Sequence, residues 1–318
     1  MRILITGVAG FVGGHLWRHI LEVTPDAEIH GTAIEQESLI PNDVTVHTGI
    51  DLRDATRVRQ LLADLQPQRI YHLAAQSSPS KSHQTAWATL ETNIKSQLNL
   101  IEACLSLNLA PRMLVISSGD IYGHQALTNE PVHEGSPLCP RNPYAVSKAT
   151  QDLLGLQYFL TDDLPIIRVR PFNHTGPGQS QGFVAPDYAA RIASIEAGQR
   201  EPALTVRNSS GQRDFSDVRD VVRAYRLVME QGSPGEVYNI ASGRTHTVRA
   251  LVNTLLSYAN EQIHVEYEDS DEQGRDLPPL QVDTTRLRKA TGWQPEIPFE
   301  QTLFDVLNDW RQRIRISA

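Results

Sequence analysis

The 318-residue chain predicts an α/β fold, a doubly wound parallel sheet followed by a second, smaller α/β unit. Three observations carry this. An apolar run, Arg2-Ile-Leu-Ile-Thr6, leads at once into spaced glycines and a helical pattern. Short apolar runs then alternate with amphipathic stretches to about residue 171, the pattern of parallel strands joined by helical crossovers. Beyond residue 172 the alternation lapses, and a stretch rich in Gly, Pro and Gln, residues 176–182, marks a change of architecture.

The first strand, Arg2 to Thr6, is apolar enough to be buried on both faces. Gly7-Val-Ala-Gly10-Phe11-Val12-Gly13 follows, and then a helix from His15 to Val23. Gly7 and Gly10 let the backbone turn tightly beside a pyrophosphate, and Gly13 lets the helix pack closely on the sheet. The helix N-terminus offers free N–H groups and a positive dipole. The spacing is GxxGxxG, not GxGxxG, so the strand before and helix after are what favour a dinucleotide site over a plain turn. This is a Rossmann-type unit. Glu28 to Thr32 is the second strand. An acid past its end would bond a ribose 2′-hydroxyl, and Glu35, with no arginine beside it, leans toward NADH; a solvated loop acid is the alternative.

Val44 to His47 is a short strand leading to Asp51-Leu52, and Asp54 caps an amphipathic helix to Leu65. Arg69 to His72 is a strand running into Leu73-Ala74-Ala75, small residues that allow a cofactor close to the backbone. A helix from Thr85 to Leu107 and a strand from Arg112 to Ser117 follow. A proline-rich loop, residues 131–143, leads to a helix ending near Leu160, and Pro165 to Arg170 is the next strand. Later elements are helices at Val184–Ala197, Asp217–Met229, Leu251–Tyr258, Thr285–Ala290 and Glu300–Arg313, with strands at Ala203–Val206 and Glu236–Ile240. The expected division is 1–171 for nucleotide binding, with 213–241 returning to it, and 172–212 with 242–318 for substrate.

Composition narrows the function classes. With 40% hydrophobic and 21% charged residues the chain reads as an ordinary globular protein, and a formal charge of −8 argues against nucleic-acid or anionic-membrane partners. No run reaches the roughly 18 apolar residues of a membrane span. The N-terminus enters a strand directly, and the two cysteines, Cys104 and Cys139, form neither metal-ligand nor disulfide spacing. The expectation is a cytoplasmic protein without a secretory leader or a metal.

The chemistry-bearing pattern is Ser117-Ser118-Gly119-Asp120, at a strand end, with Tyr144-Ala-Val-Ser-Lys148 at a helix start. Residues at i and i+4 share a helix face, so Tyr144 and Lys148 converge on one spot with Ser118 as the third corner. A phenol beside an ammonium is expected to have a lowered pKa and to exchange protons with a ketone or alcohol oxygen. Asp120 is a further acid/base candidate, or a loop residue engaged in hydrogen bonding.

Together, Thr6-Gly7-Val-Ala-Gly10-Phe-Val-Gly13, Asp51-Leu52, Leu73-Ala74-Ala75, Asn93, Ser118, Tyr144-x-x-x-Lys148 and Gly292-Trp293-x-Pro295 resemble the extended short-chain dehydrogenase/reductases of nucleotide sugars. Within them, Asn142-Pro-Tyr-Ala-Val-Ser-Lys-Ala149, Phe172-Asn-His-Thr-Gly-Pro-Gly-Gln179 with Gly182-Phe-Val184, and Arg213-Asp-Phe-Ser-Asp-Val-Arg-Asp-Val221 are similar to reductases of GDP-4-keto-6-deoxy-mannose. GDP-mannose 4,6-dehydratases share much of the pattern, and a dehydratase, an epimerase or a non-catalytic dinucleotide sensor are the alternatives. The resemblance implies NAD(P)H held by Gly7, Gly10, Phe11, Val12, Gly13, Asp51, Leu52, Leu73, Ala74, Ala75, Tyr144, Lys148 and Pro171. It implies a GDP-sugar held by Ser78, Asn173, Val184, Arg213 and Arg275, and catalysis by Ser118, Tyr144, Lys148 and Asp120. It also implies a homodimer whose 85–107 and 144–160 helices form a four-helix bundle.

Overall fold

The protein is represented by a computed structural model that describes residues 1–34, 43–127, 130–268 and 281–317. From the N-terminus the elements are β1 (Arg2–Thr6), α1 (Phe11–Val23), β2 (Glu28–Ala33), β3 (Val44–Thr48), α2 (Ala55–Leu65), β4 (Arg69–His72), α3 (Pro79–Gln84), α4 (Ala86–Ser106), β5 (Arg112–Ile116), α5 (Pro143–Asp162) and β6 (Ile166–Pro171). They continue with β7 (His174–Thr175), α6 (Val184–Glu196), β8 (Ala203–Arg207), β9 (Gln212–Asp214), β10 (Ser216–Asp217), α7 (Val218–Gln231), β11 (Val237–Ile240), β12 (Thr245–Thr247), α8 (Val248–Ser257), β13 (His264–Glu268), α9 (Thr285–Thr291) and α10 (Phe299–Ser317).

Seven parallel strands form the main sheet in the order β11-β6-β5-β4-β1-β2-β3. The order reverses between β1 and β4, the crevice where ligands bind in doubly wound sheets. Alternation along β1 shows why both faces must be covered. Ile3 and Ile5 enter a core shared with Leu16, Trp17 and Ile20 of α1 and Val221, Tyr225 and Val228 of α7. Leu4, between them, points into the opposite core with Leu61 and Leu62 of α2 and Leu100, Ile101 and Cys104 of α4. A separate core joins α6, β8, α8 and α10 through Ile192, Val206, Leu251 and Leu303.

Several expected boundaries shift for local reasons. The helix after the glycines starts at Phe11 because Gly10 itself is extended and serves as the cap. Asp54 caps α2 as expected, accepting from Thr56 and Arg57 N–H. The helix expected from Thr85 is preceded by α3, which Ser78 caps and Pro79 opens; Thr85, with φ −130° and ψ 49°, breaks the two apart. Residues 119–127 form a 3-10 segment, broken at Gly123 by a positive φ of 47°, that the sequence pattern did not suggest. Strand β11 pairs parallel to β6, returning the chain to the sheet. Leu287 and Trp293 also pack in the core of the sheet, and Trp293 Nε1 donates to Asp220 O at 2.9 Å.

An ion cluster sits inside the sheet–helix interface. Asp152 of α5, its side chain fully buried, accepts from Arg168 Nη1 at 2.9 Å and from Arg170 Nε and Nη2 at 2.9 and 3.0 Å. Arg170 also donates to Tyr122 Oη at 2.8 Å, and that hydroxyl donates to Asn239 Oδ1 at 2.7 Å. One carboxylate thus serves two buried guanidiniums on β6 and joins α5, the 3-10 segment and β11. Asp152→Ala leaves both arginines without that anion, and removal of one partner from a buried ion cluster costs about 3–5 kcal/mol. Urea denaturation should show a loss of that size, against under 1 kcal/mol (roughly) for an exposed control such as Asp64→Ala.

Candidate active site

The site is built at the carboxyl end of β5. Ser117 Oγ donates to Lys148 O at 3.0 Å, while Lys148 Nζ donates to Ile116 O at 2.8 Å. These opposed bonds lock the end of β5 to the first turns of α5. Asn142 caps that helix by accepting from Ala145 N at 2.7 Å, and Pro143 sits in its first turn. Ser118 Oγ accepts the Asp120 N–H at 3.1 Å, and Ser118 lies near enough to the Tyr144 phenol to lower its pKa. Ser118 and Tyr144 are therefore brought together, while the Lys148 ammonium is turned to the β5 backbone; each of the three is at least nine-tenths buried.

Asn93 holds this corner from behind. Its Oδ1 accepts from Gln76 N at 2.7 Å, and its Nδ2 donates to Ser147 Oγ at 2.8 Å and to Gln76 O at 3.1 Å. Ser147 Oγ in turn donates to Tyr144 O at 2.7 Å. One buried amide thereby ties the loop after β4 to the turn that carries the tyrosine.

Electrostatics here are governed by burial. The Tyr144 phenol lies above its ordinary value because it is desolvated, with the Asp120 charge adding to the rise and Ser118 opposing it. The expected lowering by Lys148 is overturned: the ammonium is engaged on Ile116 O, and the phenol rises by desolvation. Burial also pushes the Lys148 ammonium down to about 7. Half-buried Asp120 is raised by desolvation, with Arg213 opposing, so Arg213 on β9 exerts its charge on the same corner.

The glycine turn fits a dinucleotide. Gly7 has φ +71°, and a Cβ there would lie 3.1 Å from the Ala74 backbone. A Cβ on Gly13 would lie 2.3 Å from Gly7 O and 2.7 Å from Val8 O. Gly10 leaves α1 with no side-chain cap, and the first turn, including Phe11 and Val12, holds no acid. Its N–H groups and positive dipole end are thus uncompensated by the protein's own side chains, the chemistry a pyrophosphate needs. Leu73, Ala74 and Ala75 follow β4, and buried Pro171 ends β6 at the same edge.

Other named residues are placed as follows. Asp51 pairs with Arg53 at 2.6 Å, and Leu52 is buried, its carbonyl accepting from Asn99. Ser78 is engaged as the α3 cap, Asn173 is exposed between β6 and β7, and Val184 opens α6 partly exposed. Glu35 and Arg275 lie outside the described residues. Among the described residues no group of three or more His, Cys, Asp or Glu is arranged to hold a metal ion.

The family model for GDP-mannose 4,6 dehydratase matches residues 4–306. The chain is 34% identical to the GDP-6-deoxy-D-mannose reductase of Pseudomonas aeruginosa over 315 residues, 99% of this chain and 98% of the relative. It superposes on the structure of RMD from the same organism complexed with NADPH with a TM-score of 0.83 at 33% identity, covering 98% and 99% of the two chains. A UDP-glucose 4-epimerase of Thermus thermophilus, solved with NAD, gives 0.84 at 26% identity, covering 98% and 99%. The chain belongs to the GDP-mannose 4,6 dehydratase family. It is thus an extended short-chain dehydrogenase/reductase of nucleotide sugars that uses a nicotinamide dinucleotide.

Among this family member's site residues, sequence reasoning attached no role to Thr6, His72, Asn93, Ser147 or Gln151. Thr6 and Asn93 stood in the sequence only as elements of the family resemblance, and His72, Ser147 and Gln151 only as members of a strand or helix; the available signal was a polar side chain inside such an element. Lys148 provides a pH test. Its lysine pKa is about 7 folded against an ordinary 10.5, so the unfolded chain binds the extra proton between those values. Stability from this group therefore rises with pH across that window and is level below it. Urea unfolding from pH 6 to 10 should show the wild type gaining stability relative to Lys148→Met above pH 7; a constant difference would refute the assignment.

Proposed function

We propose that the protein reduces the C4 ketone of GDP-4-keto-6-deoxy-D-mannose with NAD(P)H, giving a GDP-6-deoxyhexose, GDP-D-rhamnose as first choice and its C4 epimer as second. The observation that carries the reading is a buried Tyr144 phenol whose titration Ser118 and Asp120 both influence, on a chain alike over its full length to a reductase of this class. Tyr144 is held protonated, so its role is to donate a proton to the ketone oxygen as that oxygen gains negative charge. Ser118 hydrogen-bonds the same oxygen, and Lys148 would bond the nicotinamide ribose and so orient the cofactor. The bound reduced nicotinamide would supply the hydride.

Gly7, Gly10 and Gly13 with the first turn of α1 would hold the pyrophosphate, and Asp51 and Leu52 the adenine. Ser78, Asn173, Val184, Arg213 and Arg275 would hold the sugar nucleotide, with Arg213 offering its guanidinium to the diphosphate. NADH as the preferred reductant rests on Glu35 and on the absence of an arginine just after β2. A cytoplasmic location suits this substrate class.

Asp120 favours a second reading, dehydration of GDP-mannose. It is half-buried, acts electrostatically on Tyr144 and is raised in pKa, as an acid/base group would be. The two are separated by one assay. The 4-keto sugar nucleotide should oxidise NADPH or NADH stoichiometrically, whereas a dehydratase converts GDP-mannose with no net cofactor consumption. Tyr144→Phe should lower kcat by about 10²–10⁴-fold while dinucleotide binding persists; turnover near wild type would sink the mechanism.

We also propose a homodimer through α4 and α5. Val146, Leu153 and Leu160 recur every seven residues along α5 and are exposed, with Trp87 of α4 75% exposed. Such a stripe suits burial against a second copy in a four-helix arrangement. Sedimentation at micromolar concentration should show a dimer that Leu153→Glu converts to monomer.

A further inference from the structure

A chain of fully buried polar groups runs under the cofactor crevice. Thr6 at the end of β1 and His72 at the end of β4 are 0% and 2% exposed, and Thr6 Oγ1 lies 2.9 Å from His72 Nδ1. Thr6 Oγ1 also accepts the Ala74 N–H at 3.1 Å. Gln151 of α5, one turn after Lys148 and also fully buried, brings its side-chain amide to 3.4 Å from His72 Nε2. Gln97 Nε2 of α4 donates to Gln151 O at 2.8 Å.

Proton counting settles the direction of these bonds. A threonine hydroxyl has one proton to give and lone pairs to accept with. Since Thr6 Oγ1 accepts from Ala74, its own proton must go elsewhere, and His72 Nδ1 is within reach. Were Nδ1 protonated, the Thr6 proton would be left unpaired in a site without water access. His72 therefore carries its proton on Nε2, facing Gln151. Gln151 Oε1 has no other partner among the described residues. An amide orientation that turns this oxygen to His72 pairs both groups. Desolvation, with Lys148 adding to it, lowers the His72 imidazole to about 3, so the ring stays neutral.

We propose that His72 is a positioning residue for the dinucleotide. By taking the Thr6 proton it commits the Thr6 oxygen to the Ala74 N–H, and so sets the backbone of the loop that borders the Gly7 turn. The clearance there is small, since a Cβ on Gly7 would stand only 3.1 Å from Ala74 N and Cα. A shift of a few tenths of an ångström in Ala74 would narrow or widen the crevice. Through Gln151, the same ring ties that wall to the helix bearing Tyr144 and Lys148. The inference rests on the proposed placing of the cofactor against Gly7 and Ala74.

The test uses the full chain and two probes, NADPH and NADH, with dissociation constants read from nicotinamide fluorescence. His72→Asn places an amide oxygen where Nδ1 stood, whereas His72→Phe removes the acceptor. His72→Asn should bind the preferred dinucleotide within about threefold of wild type, and His72→Phe about tenfold or more weakly, with the KM for the sugar nucleotide nearly unchanged. Nitrogen-15 NMR of the unliganded protein should show His72 as the Nε2–H tautomer, unchanged from pH 5.5 to 8.5. Should His72→Phe fail to fold, Thr6→Val and Thr6→Ser decide in its place, the serine retaining binding and the valine losing it. Equal binding by His72→Phe, equally weak binding by His72→Asn, or an Nδ1–H signal overturns the inference and leaves the cofactor placing intact. A wild-type chain that binds neither probe overturns both.

Discussion

Two hydrogen bonds running in opposite directions between β5 and α5 are the constraint on which the site depends. Ser117 Oγ reaches Lys148 O, and Lys148 Nζ reaches Ile116 O. They fix the helix along its axis and in rotation, and so bring the phenol of Tyr144 onto Ser118. A helix start alone leaves both free to vary. Asn93 adds a third tether by joining the same turn to the loop after β4. The corner is therefore held by elements already committed to the sheet, and a reacting group on such elements keeps its geometry without ordering on each turnover.

Burial then decides the electrostatics. Water is kept from Tyr144 and Lys148, so each favours its neutral form: the phenol rises and the ammonium falls. A protonated phenol is suited to giving a proton to a developing alkoxide. The arrangement is consistent with the reductive direction, while Asp120 beside it supplies the acidity that related chemistry would need.

The interior behind the site carries unusual polarity for a parallel sheet. Arg168 and Arg170 stand on β6, where apolar residues would serve packing alone, and Asp152 neutralises them from α5. Such clusters contribute little net stability but are costly to break, so they resist alternative registers. The Asp152 cluster and the Thr6–His72–Gln151 chain both end on α5. That helix is thus located by buried hydrogen bonds along much of its length, not by its apolar face alone.

Much of the fold was legible because parallel strands buried on both faces leave continuous apolar runs, as in Arg2–Thr6. Asp54 also declares its capping role by position, and Tyr144 and Lys148 their place in the first turns of one helix. The sequence by itself determined the sheet, the glycine turn and the Tyr–Lys spacing, all set by backbone sterics and helical period. It could not show that α3 precedes α4, or that residues 119–127 coil, since these follow from caps and packing. Only the tertiary structure decided the sign of the Tyr144 shift, the partners of Asp152, and the convergence of Thr6, His72 and Gln151. Those depend on which distant groups share a water-free space. Desolvation and hydrogen-bond pairing are properties of that space, and neither is carried by any single stretch of chain.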